Sequence, residues 1–142
     1  MMSEQTFQPI RIIEIVSDEI GQPRNDGTPG SALYRVPFRL SAQAPADWGR
    51  LFVHNWDHPR EFTSMHRPGT ARVSGDRVYL ERTTIEEVEK VHKSTLSIVL
   101  EDTNKAYAEY AQKRAAEEEH ARTQREEHRK SAEDAAKKIK FD

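Results

Sequence analysis

The chain has 142 residues, which is material for one small core, since a second independent core would leave too few residues for either. Hydrophobic residues make up 35% and charged residues 32%, the formal net charge is −2, and there is no cysteine. Disulfides, thiolate metal centres and cysteine nucleophiles are thereby excluded, and a protein whose main task is neutralising phosphate is disfavoured.

The polar stretch from Met1 to Gln8 and the shortness of every aliphatic run argue against a secretory leader and a membrane span. A cytoplasmic location is the expectation. Charge is distributed unevenly: up to Thr84 there are ten arginines, no lysine and ten acids, and from Ile85 onward eight lysines, four arginines and fourteen acids. The two regions follow different rules.

In chain order, Ile10 to Val16 is β-branched and apolar on both phases, which suits a strand covered on both sides or central in a sheet. The segment from Asp18 to Ser31, with Asn25-Asp26-Gly27 as a turn, reads as a long loop. Its glycines lack the Gly-Lys-Ser/Thr ending and the helix start that a phosphate cradle needs. Tyr34, Val36, Phe38 and Leu40 alternate with Arg35, Pro37 and Arg39, a half-buried strand in which Pro37 favours an edge or a bulge. A third strand is expected at Leu51 to Trp56, after the turn residues Pro45 to Gly49.

The strongest local signal is Ala71 to Leu80, where Gly75-Asp76 suits a type II′ hairpin that sets Val73 near Val78 and Ala71 near Leu80. About five strands are expected by these rules. Thr84 then begins a helix, with Glu87 three residues on as a capping box. The stripe Val88, Val91, Thr95, Leu96, Val99, Thr103, Ala106, Tyr107 and Tyr110 can dock on a sheet. Past Tyr110 the stripe gives way to alanine and to acid-base pairs four apart, such as Glu118 to Arg122 and Glu126 to Lys130. Unbroken from Ile85 to Ile139, the helix would reach roughly 80 Å at about 1.5 Å per residue. Ser94-Thr95 is the place where a break could fall, since Thr95 to Leu100 also fits a short strand.

The expected architecture is α+β: a small antiparallel β sandwich or curled sheet over residues 1–84, a docked helix at 85–110 that completes the core, and an extended charged helix at 111–142. The leading function is a non-enzymatic interaction or assembly module working by partner docking or self-association through 111–142. A heptad seam runs from Ala108 to Ile139, but its middle, Glu118, Arg122, Arg125 and Arg129, is charged, which argues against a long uninterrupted coiled coil. The partner-binding candidates are Trp48, Trp56, Arg50 and Arg60, as arginine beside aromatics, and Ile139 and Phe141, which restore apolar groups after a barren stretch.

Two other classes remain. His54, Asp57, His58, Glu61 and His66 carry enough ligand chemistry for a metal-dependent hydrolytic or acid/base enzyme, though only a folded-back loop would gather them. The ten arginines could serve nucleic acid, against which the ten acids of the same region count. No cofactor motif and no nucleophile elbow is present, so neither a cofactor nor a membrane enters the reading.

Overall fold

The computed structural model describes residues 7–141; the polar stretch from Met1 lies outside it as far as Thr6. The described chain contains strands β1 (Ile12–Ile15), β2 (Tyr34–Leu40), β3 (Ala71–Ser74) and β4 (Arg77–Thr83) and a helix α1 (Ala46–Asp57). A helix α2 follows, opened by Ile85–Glu87, loosened into a π turn at Val88–His92 and continued as α-helix over Lys93–Lys137. The strands form one antiparallel sheet in the order β1-β2-β4-β3. The protein is α+β as expected, an antiparallel sheet followed by a long C-terminal helix, with one sheet of four strands where about five were expected.

The missing strand is α1. Trp48, Phe52 and Trp56 are fully buried and spaced four apart, which is one face of a helix, while Phe52, His54 and Trp56 also satisfy a strand's alternation. Pro45 stands at the N-cap in extended conformation and Asp47 lies in the first turn, where an acid suits the positive helix end. Gly49 lets α1 approach β3, because a Cβ there would lie 3.3 Å from the Val73 side chain.

The sheet departs from expectation in one further place. The first strand is an edge, not a centre, and Ile13 is 42% exposed on it. Of the two settings expected for Pro37, an edge or a bulge, the second is found: β2 is central, and its pairing to β4 has a register irregularity between Tyr34 and Val36, next to the proline. Pro37 costs the sheet little because its position falls where β1 ends. The Pro37 carbonyl accepts from Val16 N–H (3.0 Å), and the Val16 carbonyl accepts from Glu19 N–H (3.0 Å) in the following 3-10 turn, so no donor from Pro37 is needed.

The hairpin forms as the local chemistry dictates, with Val73 opposite Val78, Ala71 opposite Leu80, and Gly75 at φ +60°. Gly75→Ala is expected to lower stability by about 1 kcal/mol, because nothing crowds the position and the left-handed backbone alone resists a Cβ. A urea unfolding midpoint would register it; an unchanged midpoint would place the turn elsewhere than in the stability of the sheet.

Val36, Phe38 and Leu40 of β2, Val78 and Leu80 of β4, the α1 face and Val88, Leu96 and Val99 of α2 make one hydrophobic cluster. Helix α2 begins at Thr84, whose hydroxyl accepts from Glu87 N–H (3.1 Å). It does not break at Ser94-Thr95; the irregularity lies one turn earlier, in the π turn. The chain divides into compact units at Met1–Tyr107 and Ala108–Asp142. No helix among the described residues is long and apolar enough to cross a membrane.

Candidate functional site

The densest polar constellation lies where α1, the 58–70 connection, β4 and the start of α2 meet. Glu87, expected only to close a capping box, turns its carboxylate inward instead. One oxygen accepts from Thr83 Oγ1 (2.9 Å) and contacts His92 Nε2 (2.9 Å); the other accepts from Arg67 Nη2 (2.9 Å). Arg67 also donates to the Arg82 carbonyl (2.8 Å), which projects from a residue at φ +51°. Four side chains thus tie the connection after α1 to the end of the sheet and the start of the helix.

The π turn is what brings His92 to Glu87. In an α-helix a residue five positions on lies about 140° further round the axis, out of reach; the widened turn at Val88–His92 brings it back over the carboxylate. Burial opposes the Glu87 charge, but hydrogen bonds from His92 and Thr83 and the positive charge of Arg67 outweigh it, holding the carboxyl below its ordinary range. Both His92 and His66 stack edge-on against Trp56, with ring centroids 5.6 and 4.5 Å away. The Trp56 indole N–H is shared between Thr70 Oγ1 (3.0 Å) and the Arg67 carbonyl (3.1 Å).

A Glu-His pair invites an acid/base reading. However, His92 is only 2% exposed and its Nδ1 is buried without a hydrogen-bond partner, so a substrate has no route to the imidazole. What the arrangement does chemically is hold charge in the interior and lock three chain segments together.

The sequence-derived ligand set is spread over separate tasks. His54 and His58 stack on each other (4.8 Å) on the exposed side of α1, one helical turn apart. Asp57 accepts from Gly69 N–H (2.7 Å), His66 Nε2 contacts the Trp56 carbonyl (2.7 Å), and Glu61 is exposed beside Arg60. Among the described residues no group of three or more His, Cys, Asp or Glu side chains is gathered as a metal ion would need.

The candidate contact residues divide. Trp48 and Trp56 are fully buried, so the surface read from them loses its aromatics. Trp48 belongs to a second polar clasp: Asn104 Oδ1 accepts from the Trp48 indole (3.0 Å) and from Ile10 N–H (3.0 Å), and its amide donates to the Ile10 carbonyl (2.8 Å). Arg50 is exposed and paired with Asp47, and Arg60 is held on α2 by Asp102 (3.2 Å) and Glu101 (3.0 Å). Ile139 and Phe141 are 63% and 93% exposed.

Arginines of the sheet face opposite charges as well: Arg35 meets Glu81 (2.7 Å) and lies over the Tyr79 ring, Arg39 bonds Glu14 (3.0 Å), and Arg77 bonds Glu19 (3.1 Å). Sequence reasoning missed Arg67, Thr83, His92 and Asn104 as organising residues. The one signal for His92 was its spacing of five from Glu87, which is meaningless unless the helix is wound as a π turn. No family model, curated protein or solved structure matches the chain.

Proposed function

We propose that this protein is a non-enzymatic interaction or assembly module, in which the unit ending at Tyr107 is a folded base and the helix beyond it is the contact element. The observation that carries this reading is the exposure of that helix. From Ala108 to Phe141 every residue except Ala108, Ala111 and Ala121 is exposed. A helix without a buried face draws its support from neighbours along its own surface. Here Arg114 reaches Glu118 (3.4 Å), Arg122 pairs with Glu119, and Arg129 reaches Glu133 (3.5 Å). These pairs differ from the expected Glu118 to Arg122 because Glu118 has an arginine four residues away on both sides and here takes the earlier one.

The base has the opposite character. Apart from Ile13, Phe62 and Met65, its large apolar side chains are committed to the core, and the Glu87-His92 pair of its clasp is largely buried, which suits a support more than a reactive centre. Deleting residues 111–142 is expected to leave thermal unfolding of the base within a few degrees of the full chain, about 5 °C or less, since the hydrophobic cluster and the side chains packed against it end at Tyr107. The same deletion should abolish association of the full chain with itself or a partner. Loss of folding in the truncated chain, or association that survives it, would reject this division of labour.

A further inference from the structure

We infer that the partner of the charged helix is a second copy of the same helix, laid antiparallel about a two-fold axis between Thr123 and Gln124. This inference rests on the reading of residues 108–141 as the contact element and names what they contact.

The argument begins with the seam. Positions alternating three and four apart from Ala108 to Ile139 stay on one side of a helix pair. The helix is continuous across them to Lys137, and a turn closed by the hydrogen bond from Ile139 N–H to the Ala136 carbonyl (3.1 Å) follows it. An antiparallel two-fold about that centre sends position i opposite position 247 − i, and under this operation the seam maps onto itself. Ala111 meets the second copy's Ala136, Ala115 meets its Ala132, and Ala108 meets its Ile139. Small residues oppose small residues over two layers at each end, where helices can approach closely, and the exposed Ile139 gains a small partner.

Charge decides the direction. In the antiparallel arrangement Glu118 faces the second copy's Arg129, and by symmetry this happens twice. The acidic block at 117–119 lies opposite the basic pair 129–130, and the acidic pair 133–134 lies opposite the basic pair 113–114. Only the two central layers, Arg122 against the second copy's Arg125 and Arg125 against its Arg122, bring like charges together, and Arg122 of each chain is already engaged by Glu119. A parallel, in-register pair would instead set Glu118, Arg122, Arg125 and Arg129 each against its own copy, four like-charged layers in succession. The charges that make a conventional parallel coiled coil unfavourable therefore select the antiparallel one. The resulting contact is isologous and closes at two chains, so it yields a dimer and not a filament.

The absence of cysteine from the chain allows a direct test on the full-length protein. Ala111→Cys and Ala136→Cys chains, purified separately, are expected to give a disulfide-linked dimer when mixed and oxidised, and little when either is oxidised alone. Glu118→Arg should weaken dimerisation on the order of tenfold or more, and adding Arg129→Glu in the same chain should restore it, as read by sedimentation equilibrium. Crosslinking of either single variant with itself, or failure of the charge swap to restore association, would overturn the antiparallel pairing while leaving self-association standing. A monomeric mass at all concentrations up to about 1 mM would overturn the dimer altogether. The broader reading of the helix as a contact element would then stand or fall by the truncation described above.

Discussion

Trp56→Ala is expected to be among the most damaging single substitutions in this protein, lowering stability by about 4–5 kcal/mol and the unfolding temperature by roughly 15–25 °C. Trp56 is fully buried at the point where α1, the 58–70 connection and the start of α2 converge. Removing it leaves a cavity against His66, His92 and Phe52, and surrounding structure held by fixed polar clasps is poorly placed to collapse into it. Thr70 Oγ1 keeps its bond to the Arg67 carbonyl (2.6 Å), so the loss is mainly one of packing and only secondarily one of hydrogen bonding. Trp56→Phe separates the two contributions. Phenylalanine retains much of the ring contact but not the indole donor, and should cost about 1–2 kcal/mol.

The chain contains only two tryptophans, both buried, so Trp48 fluorescence still reports unfolding in either variant. A shift of less than about 5 °C for the alanine variant would show that Trp56 is not the keystone of this junction.

The same residue explains how far the sequence could be read. Over Leu51 to Trp56 a strand's period of two and a helix's i, i+4 spacing are satisfied by the same apolar residues, and only Trp48, one turn earlier, breaks the tie. Signals that depend on a few adjacent residues were legible. Gly75-Asp76 specifies its turn, and Thr84 caps its helix, because the chemistry closes within four residues. Strand order was not legible, because nothing local to Pro37 says that β1 will end beside it and release it from donating.

The polar clasps were hidden for a related reason. Asn104 joins Ile10 and Trp48, which lie 94 and 56 positions away, and no periodicity records such a meeting. The five potential ligands between His54 and His66 posed the reverse case. Closeness in sequence suggested convergence, whereas helical winding places His54 and His58 on the exposed side of α1 and the connection turns Asp57 to Gly69 and His66 to Trp56. The arginines show the same effect in charge: ten basic residues without lysine looked like one surface, but sites within the fold give several of them individual acids.

Glu87→Gln is expected to cost about 2–3 kcal/mol near neutral pH and to do so with a distinctive dependence on acidity. The substitution keeps the shape of the side chain but withdraws the charge that Arg67 faces, and its amide has one acceptor oxygen where the carboxylate serves Arg67 with one oxygen and Thr83 and His92 with the other. For the native protein, the carboxyl lies below its ordinary value of 4.5 in the folded state, despite burial, because His92, Thr83 and Arg67 favour the ionised form. A group whose pKa is depressed by folding stabilises the fold above its unfolded value. That contribution is therefore complete above about pH 4.5 and is lost as the pH falls through the lower, folded-state value.

The glutamine variant has no such proton to take up, so the stability gap between the two proteins should be widest near neutral pH and narrow steadily in acid. Urea unfolding of both proteins at about pH 7, about pH 5 and about pH 3 would measure it. A gap that stays constant across that range would mean that the charge on Glu87 contributes nothing beyond the shape of its side chain. The π turn, wound so that His92 can reach that carboxylate, would then need another cause.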